Sequence, residues 1–304
     1  MLKKTLLALL LCSASSAFAL PFHSQHAMVF EEGSGKVLLE KDANAVVSIA
    51  SITKLMTAMV VLDAKQNMQE LIDIEEADVD IVKHSSSRVP VGAVLPRTTV
   101  LKLALMSSDN RAAAALARTY PGGRNAFLAA VQQKIKTLDM RNTVIEEPTG
   151  LSPQNRSTAT DLVKMASAAA YYPDIARLTT NTEDQVDMKG HLVHFRNTNR
   201  LVGKQDWDIQ LSKTGFTREA GRCLIMRMKA ADKNVVVVLL NARDSFARMA
   251  DAENVLRHLE GRPTAMTALA QAPAATKATS RPRAQRKLHG TKLADKRQTK
   301  NRRV

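Results

Sequence analysis

The 304-residue chain has only two cysteines, Cys12 and Cys223. That excludes a fold held by a disulfide framework. Past the N-terminus there is no apolar run long enough to span a bilayer. There is no internal repeat, and no Gly/Ser-rich linker divides the body. A glycine-rich phosphate loop is also missing, which argues against nucleotide chemistry.

The N-terminus carries Lys3 and Lys4, then an apolar run from Leu6 to Leu11, then small residues ending in Ala17-Phe18-Ala19. This is the order of a secretory signal peptide, expected to cover 1–19 and to send the protein to the periplasm. A retained anchor is the alternative, but the run is short for a spanning helix. Leu11 stands before Cys12 where a lipoprotein would carry a small residue. Cleavage after Ala19 leaves Cys223 as the only cysteine, unable to form an internal disulfide. Its apolar neighbours read as the setting of a buried structural thiol.

Acidic charge is scarce in one region. The chain has 44 basic and 29 acidic residues, a net of +15. From Pro263 to Val304 there are eleven Lys or Arg and one acid, Asp295, so that segment alone carries +10. With the signal peptide set aside the body is about +3, ordinary for a soluble domain. The 263–304 tail has no aromatics and no apolar period, and is expected to be disordered. A solvated extension is the plain reading. A contact with anionic wall polymer or a membrane surface is the sharper one. Export takes the protein away from DNA, so no nucleic acid is expected as a partner.

The body, 20–262, is long enough for one large domain. Met28–Phe30 and Val37–Leu39 flank a glycine-containing turn and read as a hairpin. Ser51 to Ala64 has an apolar stripe of Ile52, Leu55, Met56, Met59 and Val60 at helical spacing. Helices are expected over 100–107, 111–119, 124–138 and 159–170, strands over 209–214, 222–230 and 234–240, and a last helix near 246–259. The fold class is therefore α/β (α+β). One antiparallel sheet is assembled from N- and C-terminal segments, with a helical lobe inserted between them.

Three short motifs occur in one order: Ser51-Ile52-Thr53-Lys54, Ser108-Asp109-Asn110 and Lys213-Thr214-Gly215. Each alone has a plain structural reading as a helix cap, a capping turn or a strand-end turn. As an ordered set they are the signature of serine β-lactamases and penicillin-binding proteins. Positions i and i+3 share a helix face, so Ser51 Oγ and the Lys54 amine can meet. A serine hydroxyl needs a base, and a lysine can be one if burial and nearby positive charge, such as Lys213, lower its pKa. Ser108 would relay a proton between Lys54 and the leaving amine. The Asn110 amide would hold Lys54 and a substrate carbonyl. Lys213 and Thr214 would bind a substrate carboxylate, and Gly215 would leave room for substrate along its strand. The backbone N–H groups of Ser51 and Phe216 would form an oxyanion hole.

The likeness extends beyond the motifs. Segments 50–59, 105–114 with Tyr120-Pro121-Gly122-Gly123, Glu147-Pro148-Thr149-Gly150-Leu151-Ser152, 195–199 and 212–217 resemble those of the low-molecular-mass penicillin-binding proteins, specifically the D-alanyl-D-alanine endopeptidases. The resemblance implies a β-lactamase/DD-peptidase-like fold, Ser51 as acyl-enzyme nucleophile, Lys54 as base and Ser108 as proton relay. Asn110, Lys213 and Thr214 would bind substrate. It implies peptidoglycan peptides as substrate, β-lactams as inhibitors and no cofactor. The related carboxypeptidases carry a further β-rich domain and an amphipathic anchor, and this chain shows neither.

Other readings stay open at this level. A carboxypeptidase would use the same acyl-enzyme. A β-lactamase would need a further base, for which Glu146 and Glu147 are the available loop acids. A wall-binding protein with a decayed site is the non-enzymatic alternative. His191-x-x-His194, with Glu183, Asp184 and Asp187 nearby, is at most half of a metal site, so none is expected. Trp207, with Asp206 and Asp208, is expected to shape a strand entrance.

Overall fold

The structure is a computed structural model and describes residues 22–264. The expected signal peptide, 1–19, and nearly all of the 263–304 tail lie outside the described residues. The chain runs β1 (His26–Glu31), β2 (Lys36–Lys41), β3 (Val47–Ser48), α1 (Thr53–Asp63), β4 (Leu71–Asp73) and β5 (Val94–Pro96). Then come α2 (Arg97–Met106), α3 (Asn110–Arg118), α4 (Gly123–Thr137), β6 (Arg156–Ser157), α5 (Ala159–Ala169) and α6 (Pro173–Thr180). Hairpin β7 (Glu183–Met188) and β8 (His191–Arg196) follows, then β9 (Asp208–Thr217), β10 (Gly221–Ala230), β11 (Lys233–Ala242) and α7 (Ser245–Leu259).

The main sheet has the order β2-β1-β11-β10-β9 and is antiparallel throughout. Two strands come from the start of the chain and three from its end, with the helices inserted between, as the sequence implies. Strand periodicity divides the apolar residues between two cores. On β11, Val236, Val238 and Leu240 face the helical lobe. Val235, Val237 and Leu239 face α7, with its Ala252, Val255 and Leu256. On β9, Leu211 joins the lobe-side core, so Lys213, two residues on, faces the same way.

Helix α1 departs from the one-sided stripe expected of it. Every residue from Thr53 to Val61 is buried, because α3, α4 and α5 all pack against it. A helix surrounded in this way needs no polar face. The sequence reading missed α6 and the β7–β8 hairpin. Helix α6 is eight residues long with few apolar positions, Ile175 and Leu178 being buried. The hairpin turns at Lys189 (φ 58°) and Gly190 (φ 86°), a two-residue turn with positive φ that a Lys-Gly pair signals weakly. His194 Nε2 lies 3.1 Å from Glu183 Oε2 across it. Among the described residues no group of three His, Cys, Asp or Glu is placed to hold a metal. Trp207 packs on the α7-side core at the foot of β9. Cys223 is buried on β10, as expected, and burial pushes its thiol up to about 11. No helix among the described residues is long and apolar enough to cross a membrane.

The start of the described chain is fastened to the last helix by Asp251. Its carboxylate accepts from His23 N (2.8 Å), Ser24 N (2.6 Å) and Ser24 Oγ (2.7 Å) while only 1% exposed. Lys41 Nζ donates to the Phe22 and Ser24 carbonyls alongside. Replacing Asp251 by Ala orphans three donors at once, the two on Ser24 buried, and buried unmade hydrogen bonds are costly. Asp251→Ala is expected to lose about 3–4 kcal/mol in urea unfolding. A loss below about 1 kcal/mol would show that the clamp is not needed.

Candidate active site

A 3₁₀ turn, Ala50–Ile52, leads into α1 and puts Ser51 immediately before the helix. Lys54 lies in the first turn of α1, so its chain runs back along the same face. Lys54 Nζ is 2.9 Å from Ser51 Oγ, 2.7 Å from Asn110 Oδ1 and 2.6 Å from the Thr149 carbonyl oxygen. Its side chain is almost wholly removed from solvent, with Lys54 1% exposed. Ala50, just before the serine, has φ +46°. A residue with a Cβ adopts that conformation only under strain, and such strain concentrates at functional turns.

Ser108-Asp109-Asn110 forms the turn between α2 and α3, at the rim of the lobe. Ser108 also has positive φ, +60°. The capping reading holds for the middle residue: Asp109 Oδ1 accepts from Ala112 N at 2.9 Å and so caps α3. Its Oδ2 accepts from Ser87 Oγ at 2.7 Å. Asn110 faces the site, with Oδ1 on Lys54 and Nδ2 donating to Ser85 Oγ at 2.8 Å. Ser108 Oγ accepts from Lys213 Nζ at 2.8 Å. Ser108 is thus hydrogen-bonded to Lys213, where the sequence reading linked it to Lys54.

Lys213, Thr214, Gly215 and Phe216 lie on β9, the edge strand of the sheet. Edge strands leave backbone groups unpaired on their outer side, which lets a peptide lie alongside. Lys213 is 1% exposed, and Thr214 Oγ1 donates to Thr198 Oγ1 at 2.7 Å. Gly215 is explained differently from the sequence expectation. A Cβ there would stand 3.0 Å from the Ile49 carbonyl oxygen and 3.1 Å from both Ala50 Cβ and Ser51 N. The glycine lets the strand close onto the serine turn itself.

Burial dominates the electrostatics. It pushes the Lys54 ammonium down to about 8, against the carboxylates of Glu147 and Asp109, which favour the protonated form. Burial, then the neighbouring Lys54 and Arg248, hold Lys213 well below the ordinary lysine range. Of the two loop acids, Glu146 is exposed. Glu147 turns inward, and both its oxygens accept hydrogen bonds from its own loop.

Ser51, Ser108, Asn110 and Thr214 open onto one cleft of about 1130 Å³. Its walls add Arg196, Arg200, Lys204, Arg222 and Arg248, and among the described residues no Asp or Glu lines it. The Arg222 guanidinium stacks 3.7 Å over the Phe216 ring. The three motifs thus meet at one cationic cleft, although more than 150 positions separate the first from the last in sequence.

The profile of the S11 peptidases, described as D-alanyl-D-alanine carboxypeptidase, matches residues 13–244. The chain belongs to this family of serine D-alanyl-D-alanine peptidases. It is 46% identical to the D-alanyl-D-alanine endopeptidase of Pseudomonas aeruginosa over 82% of this chain and 81% of that one. With the D-alanyl-D-alanine endopeptidase of Escherichia coli the identity is 43%, over 82% and 81%. The Streptomyces K15 DD-transpeptidase superposes with a TM-score of 0.74 at 25% identity, over 80% of this chain and 99% of that one.

Residues outside the three motifs also join this arrangement: Ser85, Glu147, Thr149 and the cations of the cleft wall. The Glu147-Pro148-Thr149-Gly150 segment drew attention in sequence, but only as part of a resemblance. Thr149 contributes a backbone carbonyl, which no side-chain motif reveals. Gly215→Ala is expected to slow acylation by a labelled penicillin about tenfold, because the added methyl displaces β9 from the serine turn. Unfolding should change by less than about 1 kcal/mol, since a strand backbone accommodates alanine. Acylation at the wild-type rate would show that this spacing is immaterial.

Proposed function

We propose that this S11 peptidase cleaves D-alanyl cross-links in peptidoglycan through an acyl-enzyme on Ser51. The observation that carries the reading is Lys54 Nζ at 2.9 Å from Ser51 Oγ in a buried setting. Neutral Lys54 removes the hydroxyl proton as Ser51 Oγ attacks the D-alanyl carbonyl. The backbone N–H groups of Ser51 and Phe216 receive the oxyanion. As the carbon–nitrogen bond breaks, Ser108 gives its proton to the departing amine and regains one from protonated Lys54, which returns Lys54 to its neutral form, while Lys213 holds the Ser108 oxygen. Water then hydrolyses the ester and frees Ser51. Asn110 and Thr214 orient the peptide, and Lys213 and Thr214 favour a carboxylate at its end.

Endopeptidase action is favoured over carboxypeptidase action by two features. The two relatives above 40% identity carry the endopeptidase name. The cleft rim is cationic and free of acids, which suits a leaving strand that bears carboxylates of its own. Binding of β-lactams at Ser51 belongs to the same reading. Engagement of both Glu147 oxygens within the loop leaves that residue unsuited to activating a deacylating water, which argues for slow release of a β-lactam. Residues 20–262 act as the catalytic domain in the periplasm after loss of 1–19. The +10 segment 263–304 acts as an electrostatic tether to anionic wall polymer or membrane.

Purified cross-linked muropeptide dimers and monomeric pentapeptides separate the two activities. Dimers are expected to be converted to monomers faster than pentapeptides lose terminal D-alanine, and Ser51→Ala should do neither. The double variant Arg200→Ala with Lys204→Ala should cleave dimers about fivefold more slowly, two exposed charge contacts being worth about 1 kcal/mol together. Terminal D-alanine as the main product would make the protein a carboxypeptidase. Cleavage by Ser51→Ala would remove Ser51 from the reaction.

A further inference from the structure

Glu147 belongs to none of the three motifs, yet its carboxylate is the most heavily hydrogen-bonded acid near the site. Oε2 accepts from Thr149 N at 2.7 Å and Thr149 Oγ1 at 2.6 Å. Oε1 accepts from Gly150 N at 2.6 Å, Asn155 Nδ2 at 2.9 Å and Ser152 N at 3.3 Å. The loop is therefore wound around an anion. Its N–H groups turn inward to the carboxylate, and two of its carbonyls are presented to α1. The Pro148 carbonyl accepts from Thr57 Oγ1 at 2.8 Å, and the Thr149 carbonyl accepts from Lys54 Nζ at 2.6 Å.

The loop has little freedom to present that carbonyl elsewhere. Gly150 has φ +84°, and a Cβ on it would lie 2.0 Å from the Ala50 carbonyl oxygen. Asn155, fully buried, donates to the Glu147 carbonyl at 2.9 Å and to Thr53 Oγ1 at 3.2 Å. Its own carbonyl accepts from Ile49 N at 3.0 Å. The anion-centred loop and the serine turn are thus one hydrogen-bonded body.

The chemistry of a neutral amine gives this arrangement a consequence. A lysine that has lost its proton has two N–H donors and one lone pair. Around Lys54 Nζ stand three groups: Asn110 Oδ1, the Thr149 carbonyl and Ser51 Oγ. The first two can only accept, and Asn110 is turned this way because its Nδ2 donates to Ser85 Oγ. They take both N–H groups, and only the hydroxyl remains to meet the lone pair. We propose that Glu147 is a positioning residue for acylation: by folding its loop it sets the Thr149 carbonyl on Lys54, and so aims the lone pair of neutral Lys54 at the Ser51 hydroxyl. This rests on the reading of Lys54 as the base.

Glu147 also acts by charge, and that makes its role separable from simple scaffolding. Its carboxylate favours the protonated form of Lys54. Acylation rises with pH as Lys54 loses its proton, so removing this charge must move the midpoint of that rise downward. Glu147→Gln removes the charge and places an amide N–H against the Thr149 donors. Glu147→Asp keeps the charge but is too short to gather the same donors. Acylation of the full chain by a fluorescent penicillin, from about pH 6 to pH 10, reads both effects, with rates normalised to the acylatable fraction so that misfolded protein does not count.

Both variants are expected to acylate about tenfold more slowly or worse at their plateau. Only Glu147→Gln should shift its midpoint below the wild-type value. Wild-type normalised rates in either variant overturn the proposal, as does a loss of rate in Glu147→Gln with an unmoved midpoint. Should Glu147→Gln give no acylatable protein, Glu147→Asp decides alone on its normalised rate. A wild-type profile with no rise near pH 8 strikes the Lys54 reading instead, and so distinguishes the two failures.

Discussion

A lysine side chain taken out of water loses the solvation of its charge, and several kcal/mol of that loss persists even in a relaxed protein interior. Lys54 sits in that position, at the base of α1 with only 1% of its surface exposed. Three oxygens surround its nitrogen and two carboxylates lie near, so its proton is held loosely but not expelled. The rest of the site follows from this one residue. Asn110 is on Lys54 because α3 starts there, the Thr149 carbonyl is on it because Glu147 winds its loop, and Ser51 is on it because a 3₁₀ turn precedes α1. Lys213, equally buried, donates to Ser108 on the other side of the site.

The fold makes such a point possible by closing parts that are distant in sequence onto one turn. β9, from the end of the chain, meets the serine turn through Gly215, and the Glu147 loop meets it through Gly150. A Cβ at Gly150 would stand 2.0 Å from the Ala50 carbonyl oxygen, which excludes any side chain there, whereas one at Gly215, 3.0 Å from the Ile49 carbonyl oxygen, would push the strand off the serine turn. The serine turn and the turn between α2 and α3 are strained in return, with Ala50 and Ser108 held at positive φ. Burial all round α1 and the clamp of Asp251 on the N-terminal segment supply the rigidity that such conformations need. The geometry around Ser51 therefore rests on pre-set backbone as much as on the motif side chains.

The sheet, the inserted lobe and the closing helix were legible in sequence because their apolar runs and periods are strong, as in the unbroken run Val235–Leu240 and the helical stripe of α1. Ser51, Lys54, Ser108, Asn110 and Lys213 were legible because side-chain chemistry at fixed spacing is what a sequence records directly. The reason for Gly215 was not, since a sequence does not show what lies across from a strand. The contact of Ser108 with Lys213 was hidden for the same reason. Helix α6 and the Lys189-Gly190 hairpin escaped because few of their residues are apolar and tertiary packing decides their conformation. The Glu147 loop escaped because its product is a carbonyl, and every residue has one.

The claim on which this account stands is that Lys54 acts by losing and regaining a proton. Arginine at position 54 keeps the charge and nearly the length but stays protonated at any working pH. The decisive measurement is therefore the rate of acylation of Lys54→Arg and Lys54→Ala by a labelled penicillin, with circular dichroism to establish that both are folded. The account predicts that both variants fall together, by about a hundredfold or more, as for loss of a general base. Acylation of Lys54→Arg near the wild-type rate would contradict it, and would leave Lys54 as a fixed charge with the base elsewhere.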